Sequence, residues 1–168
     1  AQDRQIGDSL CEDDFVETAS DLVERAKDIG CDIILPVDTV IAKEFKANAE
    51  NKVVTGDIDS GWEGLDIGPE SRKVFAEKVK SAKTIVWNGP MGVFELEPFD
   101  AGTKAVATAV AEATAGGARS VIGGGDSATA IVNMGLEDKV SHISTGGGAS
   151  LEFLEGKKFK SLDVLDNK

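Results

Sequence analysis

The chain has 168 residues, 41% of them apolar and 29% charged, and carries a net charge of −12. That is length enough for one domain with a hydrophobic core, and the composition is that of a folded chain rather than a disordered one. The acidic balance repels a nucleic-acid backbone, and no apolar run approaches the roughly 20 residues that cross a bilayer, so neither nucleic acid nor membrane is expected as a partner.

The opening "AQDRQIGDSL" is polar and has no signal-peptide pattern. The first residue is not methionine and no strand precedes the first helical pattern, which is expected of a processed or excised piece. Two cysteines, Cys11 and Cys31, read as reduced thiols of a cytoplasmic protein. With His142 they supply too few ligands for a structural zinc site, which takes about four. His142 is read as a core or surface residue, since neither a His-centred triad nor an H-E-x-x-H motif is present.

In chain order, Phe15, Ala19, Leu22, Val23 and Ala26 recur at helical spacing, with Asp13 and Asp14 suited to the first turn and Gly30 to the position after the last. "DIILP", closed by Pro36, is predicted as a strand, as are "TVIAKEF" and "KVVTG"; Asn48 to Gly68 otherwise reads as turn-rich. A repeating pattern follows. "GPESRKVFAEKVKSA" is a helix with Pro69 in its first turn, "KTIVW" a strand and "NGPMGVFELEPF" a loop. "DAGTKAVATAVAEATAGG" is an alanine-rich helix ended by Gly116 and Gly117. "RSVI" and "VSHIS" are strands, "GGGD" and "TGGG" the loops after them, and "SATAIVNMG" and "ASLEFLEG" the helices that come next. "KKFKSLDVLDNK" has no clear period.

Strands alternating with helices predict an α/β fold: a mainly parallel open sheet with helices on both faces, in a Rossmann-like three-layer arrangement. "TIVW" and "SVI" lack polar alternation, as strands buried on both sides do. No second hydrophobic unit or long linker is expected, so residues 1–168 read as a single domain.

The loops "NGPMG", "GGGD" and "TGGG" all follow the carboxyl ends of predicted strands, the edge where open sheets bind ligands. Glycine lets backbone N–H groups approach a guest closely, and each following helix adds its unpaired amides and the positive end of its dipole. Such sites take anions, phosphate above all. Tight strand-to-helix turns would use the same glycines. The Walker pattern is absent. Gly123, Gly125 and Ala128 match the dinucleotide fingerprint, but the next strand ends in Ser144 and Thr145 instead of the acidic residue that pattern needs. An oxidoreductase dinucleotide domain is therefore an alternative, as is a non-catalytic folding fragment.

Asp126 admits two roles: a helix cap, or a carboxylate that holds Mg²⁺ against phosphates. Ser127 either donates its hydroxyl to phosphate or simply sits in the first helical turn. Phosphoryl transfer also calls for cationic groups, and none of these loops contains a Lys or Arg. Lys83 and Arg119 lie at the opposite ends of their strands.

From about Ile6 onward the strings "IGDSL", "DIILPVD", "GWEGLDIGPES", "VWNGPMGVFE", "GGGDSA" and "STGGGASLE" occur in order. With them the chain closely resembles the phosphoglycerate kinase family, and only its carboxyl-terminal, nucleotide-binding domain. The resemblance implies transfer of a phosphoryl group between 1,3-bisphosphoglycerate and ADP, giving 3-phosphoglycerate and ATP, with Mg²⁺. It further implies a partial domain: the substrate domain is missing, as is the opening of the nucleotide domain with its lysines. Negligible turnover is expected from such a piece. By resemblance, Asn88, Gly89 and Pro90 belong to the nucleotide loop, with Asn88 near the phosphates. Val93 packs on the base, Glu95 binds the ribose hydroxyls and Gly64 lines the adenine pocket. Gly124, Gly125, Asp126 and Ser127 take phosphates and metal, with Asp126 as the Mg²⁺ ligand. Gly146, Gly147 and Gly148 face the phosphoryl group in transit. The family more often has threonine at Ser127, and its usual Pro-Gly is absent from the tail.

Overall fold

A computed structural model describes residues 3–144 and 146–159. Six strands and five α-helices make it up, alternating from β3 onward. They are α1 (Val16–Asp28), β1 (Thr39–Ala42), β2 (Asn51–Val54), β3 (Glu63–Ile67), α2 (Pro69–Ser81), β4 (Thr84–Asn88), α3 (Ala101–Ala115), β5 (Arg119–Gly123), α4 (Gly125–Asn133), β6 (His142–Ile143) and α5 (Gly147–Leu154).

β4, β5 and β6 form a parallel sheet in that order, with Thr84 opposite Arg119 and Val121 opposite His142. α3 and α4 make the crossovers that a parallel ladder requires. The alternation of strand and helix thus gives the expected α/β fold. Helices α2, α3 and α4 pack on one face. There Ile85, Trp87 and Ile122 meet Val106, Val110 and Ile131 in one core. The small side chains of α3 permit that close approach: Ala107 is fully buried and Ala109 nearly so.

β4 does not have both faces covered. Ile85 and Trp87 are buried, whereas Val86 between them is 47% exposed. α5 lies over the Val86 side but does not fill it; Val86, Val121, Ala149 and Phe153 line an apolar cavity of about 460 Å³. The apolar run in β4 therefore reflects one packed face and one that is partly open.

A second sheet is antiparallel, in the order β2-β1-β3, with Thr39 opposite both Val54 and Ile67. β1 and β2 fall on the predicted strands "TVIAKEF" and "KVVTG", while β3 comes from the stretch that reads as turn-rich; the sheet has its own buried cluster of Val40, Ala42, Ala49, Leu65 and Phe99. This cluster is the second hydrophobic unit that the sequence does not announce. "DIILP" is not a strand. An extended segment becomes one only when a neighbour supplies ladder hydrogen bonds, and Ile33 and Leu35 remain 46% and 43% exposed.

Asp38, at the start of β1, ties the antiparallel sheet to α2. Its carboxylate accepts the N–H groups of Glu70 (3.0 Å) and Ser71 (2.8 Å), the first-turn donors that α2 leaves unpaired. The Ser71 hydroxyl lies 2.5 Å from the same carboxylate. Gly68 must be glycine here, because a Cβ would overlap the Asp38 carboxyl group. Burial pushes the Asp38 acidity toward the neutral form, but the hydrogen bonds from Ser71 and Glu70 outweigh it and hold the pKa below the usual carboxylate range.

Candidate nucleotide site

Because β4, β5 and β6 run parallel, their carboxyl ends lie along one edge, and the glycine loops gather there. Two of the loops touch. Asn88 ends β4 with its Oδ1 facing the Gly123–Gly124 turn: a Cβ on Gly124 would come within 2.7 Å of it. Gly124 also takes a φ of 83°, which glycine reaches without strain. Ser127 is fully buried, and its hydroxyl accepts the N–H of Gly89 at 2.7 Å. In this arrangement Ser127 braces one loop against the other. Gly89 has a φ of 102° and open space beside it, and Pro90 follows, half-buried.

The open glycines carry the functional signal. Nothing lies within 4 Å of a Cβ placed on Gly125 or Gly148. Neither the protein's packing nor a positive φ demands glycine at either position. A guest approaching the backbone would.

Of the two roles read for Asp126, the structure bears on the cap. α4 starts at Gly125 with Gly124 as its N-cap, and no side chain caps it. Asp126 therefore lies inside the first turn, exposed, and makes no side-chain hydrogen bond among the described residues. The capping role is not used, and the carboxylate stands at the positive end of the helix. Among the described residues no three His, Cys, Asp or Glu side chains cluster as a metal cage. A single carboxylate suits Mg²⁺, which usually keeps water and phosphate oxygens as its other ligands.

At the end of β6, Gly146 caps α5, and its N–H points to Ser144 Oγ at 3.3 Å. Ser144 Oγ in turn pairs with Ser150 Oγ at 2.7 Å. Gly147 and Gly148 form the first turn of α5.

The remaining predicted residues belong to the antiparallel side. Gly64 and Val93 line one cavity of about 400 Å³, together with Leu65, Asp66 and Gly92. A Cβ on Gly64 would press on Thr39 Cγ2 at 3.2 Å. Val93 is fixed by its N–H to the Leu65 carbonyl at 2.8 Å. Glu95 is exposed two residues further on. The segment from Asn88 to Glu95 thus runs from the parallel sheet edge to the antiparallel sheet, and is the physical link between the two halves of the site.

Sequence reasoning missed the residues that hold this segment. Asp66 is buried. Its Oδ2 accepts the N–H of Gly102 at 2.8 Å and faces Arg72 Nη2 at 3.2 Å, while Oδ1 accepts the N–H of Ile67 at 2.8 Å. Desolvation by burial raises its pKa, and the donors from Gly102, Ile67 and Arg72 do not fully offset it. Thr103 Oγ1 accepts the N–H of Met91 at 3.0 Å. The available signal was "GLDIG", a charge between apolar strand residues that must find partners.

The family model described as phosphoglycerate kinase matches residues 1–157. The phosphoglycerate kinase of Thermosipho africanus is 54% identical over 165 residues, which are 97% of this chain and 41% of that protein. The enzyme of the same name from Chloroherpeton thalassium is 56% identical over 168 residues, covering 99% of this chain and 42% of that one. The solved phosphoglycerate kinase of Coxiella burnetii superposes with a TM-score of 0.91 at 42% identity, over 96% of this chain and 41% of that one. For the enzyme of Pyrococcus horikoshii the TM-score is 0.73 at 33% identity, over 89% and 36%. The chain thus spans about two fifths of its relatives' length. The match leaves the oxidoreductase alternative without support. With the sequence strings, the three-loop edge and the superposition in agreement, the chain belongs to the phosphoglycerate kinase family.

Proposed function

We propose that residues 1–168 are part of the carboxyl-terminal nucleotide-binding domain of a phosphoglycerate kinase, and that they hold ADP or ATP between the two sheets. Asn88, the backbone of Gly89 and Pro90, and the turn at Gly124 and Gly125 hold the phosphates, while the buried hydroxyl of Ser127 braces Gly89 instead of facing them. Gly64 and Val93 receive the base, and Glu95 the ribose. Gly146, Gly147 and Gly148 face the phosphoryl group as it moves between the acyl oxygen of 3-phosphoglycerate and the β-phosphate of ADP. Mg²⁺, held by Asp126, neutralises phosphate charge when bound. In the intact protein the activity is that of a cytoplasmic glycolytic phosphotransferase. This chain alone has negligible turnover, since the loops contain no cationic clamp. Full turnover in a coupled assay would refute that last point.

The observation that carries the reading is the exposed, uncapped carboxylate of Asp126 beside the open Gly125. Calorimetric titration tests it. Wild-type chain should bind Mg·ADP, and Asp126→Ala should weaken Mg·ADP at least about tenfold while changing metal-free ADP little. Equal weakening of both forms removes the metal role, and no binding of either nucleotide by the wild type removes the reading itself.

A further inference from the structure

We propose that Asp66 is a positioning residue for the base-and-ribose half of the site, holding the Met91–Glu95 segment in register with β3 and α3. The inference rests on the nucleotide reading above for its consequence, but its geometry stands alone. Asp66 is 4% exposed, and its carboxylate joins three elements. Within β3 it accepts the N–H of Ile67, at the start of α3 that of Gly102, and from α2 the guanidinium of Arg72. Arg72 Nε in turn donates to the Ile67 carbonyl at 3.1 Å, which fixes the guanidinium on the same strand.

The segment that carries Val93 lies against this carboxylate. A Cβ on Gly92 would overlap Asp66 Oδ1 and come within 2.7 Å of the Leu65 carbonyl oxygen. Gly102 is equally tight: a Cβ there would overlap Oδ1 and approach Ile67 Cγ1 at 2.6 Å. Residues on either side of Gly92 are pinned to the elements that Asp66 joins. Met91 N–H donates to Thr103 in α3, and Val93 N–H to Leu65 in β3. Moving α3 against β3 would therefore pull the segment at both ends, and with it Val93 and Glu95. The phosphate turn at Gly124–Ser127 is anchored elsewhere, through Ser127 to Gly89.

Asp66→Asn keeps the size of the side chain but removes the charge that faces Arg72. If its amide nitrogen occupies the Oδ2 place, it also opposes the donor of Gly102. In that variant the amide protons of Met91 and Val93 should exchange about tenfold faster or more, with Ser144 on the parallel sheet unchanged. ADP should bind about tenfold more weakly, as expected for a displaced binding contact. Inorganic tripolyphosphate, which probes only the phosphate turns, should bind as before. Gly92→Ala keeps both charges of the Asp66–Arg72 pair but drives a methyl between the segment and the carboxylate, and should produce the same selective pattern, so it decides the matter if Asp66→Asn does not fold. Folded variants with wild-type exchange at Val93 overturn the proposal, as does equal loss of ADP and tripolyphosphate. A wild-type chain that binds neither probe sinks the nucleotide reading, while the exchange measurement still judges the positioning role.

Discussion

The two sheets use glycine and aspartate in opposite ways. Beside the antiparallel sheet, Gly68, Gly92 and Gly102 are each pressed against a buried carboxylate that leaves no room for a Cβ. At the edge of the parallel sheet, Gly125 and Gly148 face open space. Asp38 and Asp66 are buried; Asp38 accepts two first-turn amides of α2 and Asp66 one of α3, helices that their own side chains do not cap. Asp126 is exposed in the first turn of a helix and accepts no hydrogen bond among the described residues. One region is filled by its own chain and the other leaves its glycines and its carboxylate open. A glycine or an aspartate therefore signals binding only where the protein itself offers no reason for it.

That contrast breaks most sharply at a pair of identical substitutions. Gly68→Ala should destabilise the fold by about 3 kcal/mol, because the new methyl drives into the Asp38 carboxyl group and disturbs the cap of α2. Gly125→Ala should change stability by less than about 0.5 kcal/mol yet weaken ADP, since the methyl projects into the space a phosphate would use. Denaturant unfolding and calorimetry read the two effects, and equal stability losses would erase the distinction.

A smaller effect should appear in acid. The Asp38 pKa is lowered by folding, so its share of stability is present above the unfolded value near 3.8 and is lost as pH falls through the folded one. The Asp66 pKa is raised, so the folded form binds the proton more tightly. Its contribution therefore diminishes as pH rises from about 3.8 through the folded value. Asp66→Asn should flatten the pH profile of unfolding free energy above 3.8 and Asp38→Asn below it. Coincident changes in both variants would contradict the opposed environments of the two groups.

The parallel half was legible because its signals are local. Each apolar strand runs into glycines and then into a helix, as in "SVIGGGDSA", and Pro69 and Gly117 punctuate the helices. The antiparallel half was legible only in part: "TVIAKEF" and "KVVTG" fall on β1 and β2, whereas β3 reads "EGLDI", short and interrupted by polar residues. What makes β3 a strand is pairing with β1, which no local window contains. The failure of "DIILP" is the converse: a strong strand composition without a partner among the described residues. At the site, residue types were readable but directions were not. Whether Asp126 caps α4 depended on where the chain turns, and the positive φ at Gly124 settles it. Whether the Ser127 hydroxyl faces outward depended on Gly89, 38 residues earlier. The tail beyond Phe159 lies outside the described residues.

The chain contains two tryptophans, Trp87 within β4 and Trp62 directly before β3. Trp62 is half-buried between the ammonium groups of Lys43 and Lys52, at 5.0 and 4.4 Å from its ring. Trp87 is 5% exposed, packed in the α3 core, with an indole N–H that has no partner among the described residues. The two rings therefore emit from a wet, cationic setting and a dry, apolar one. Trp87 directly precedes Asn88, so the bluer emission reports on the carboxyl edge of the parallel sheet and the redder one on the start of β3 in the antiparallel sheet.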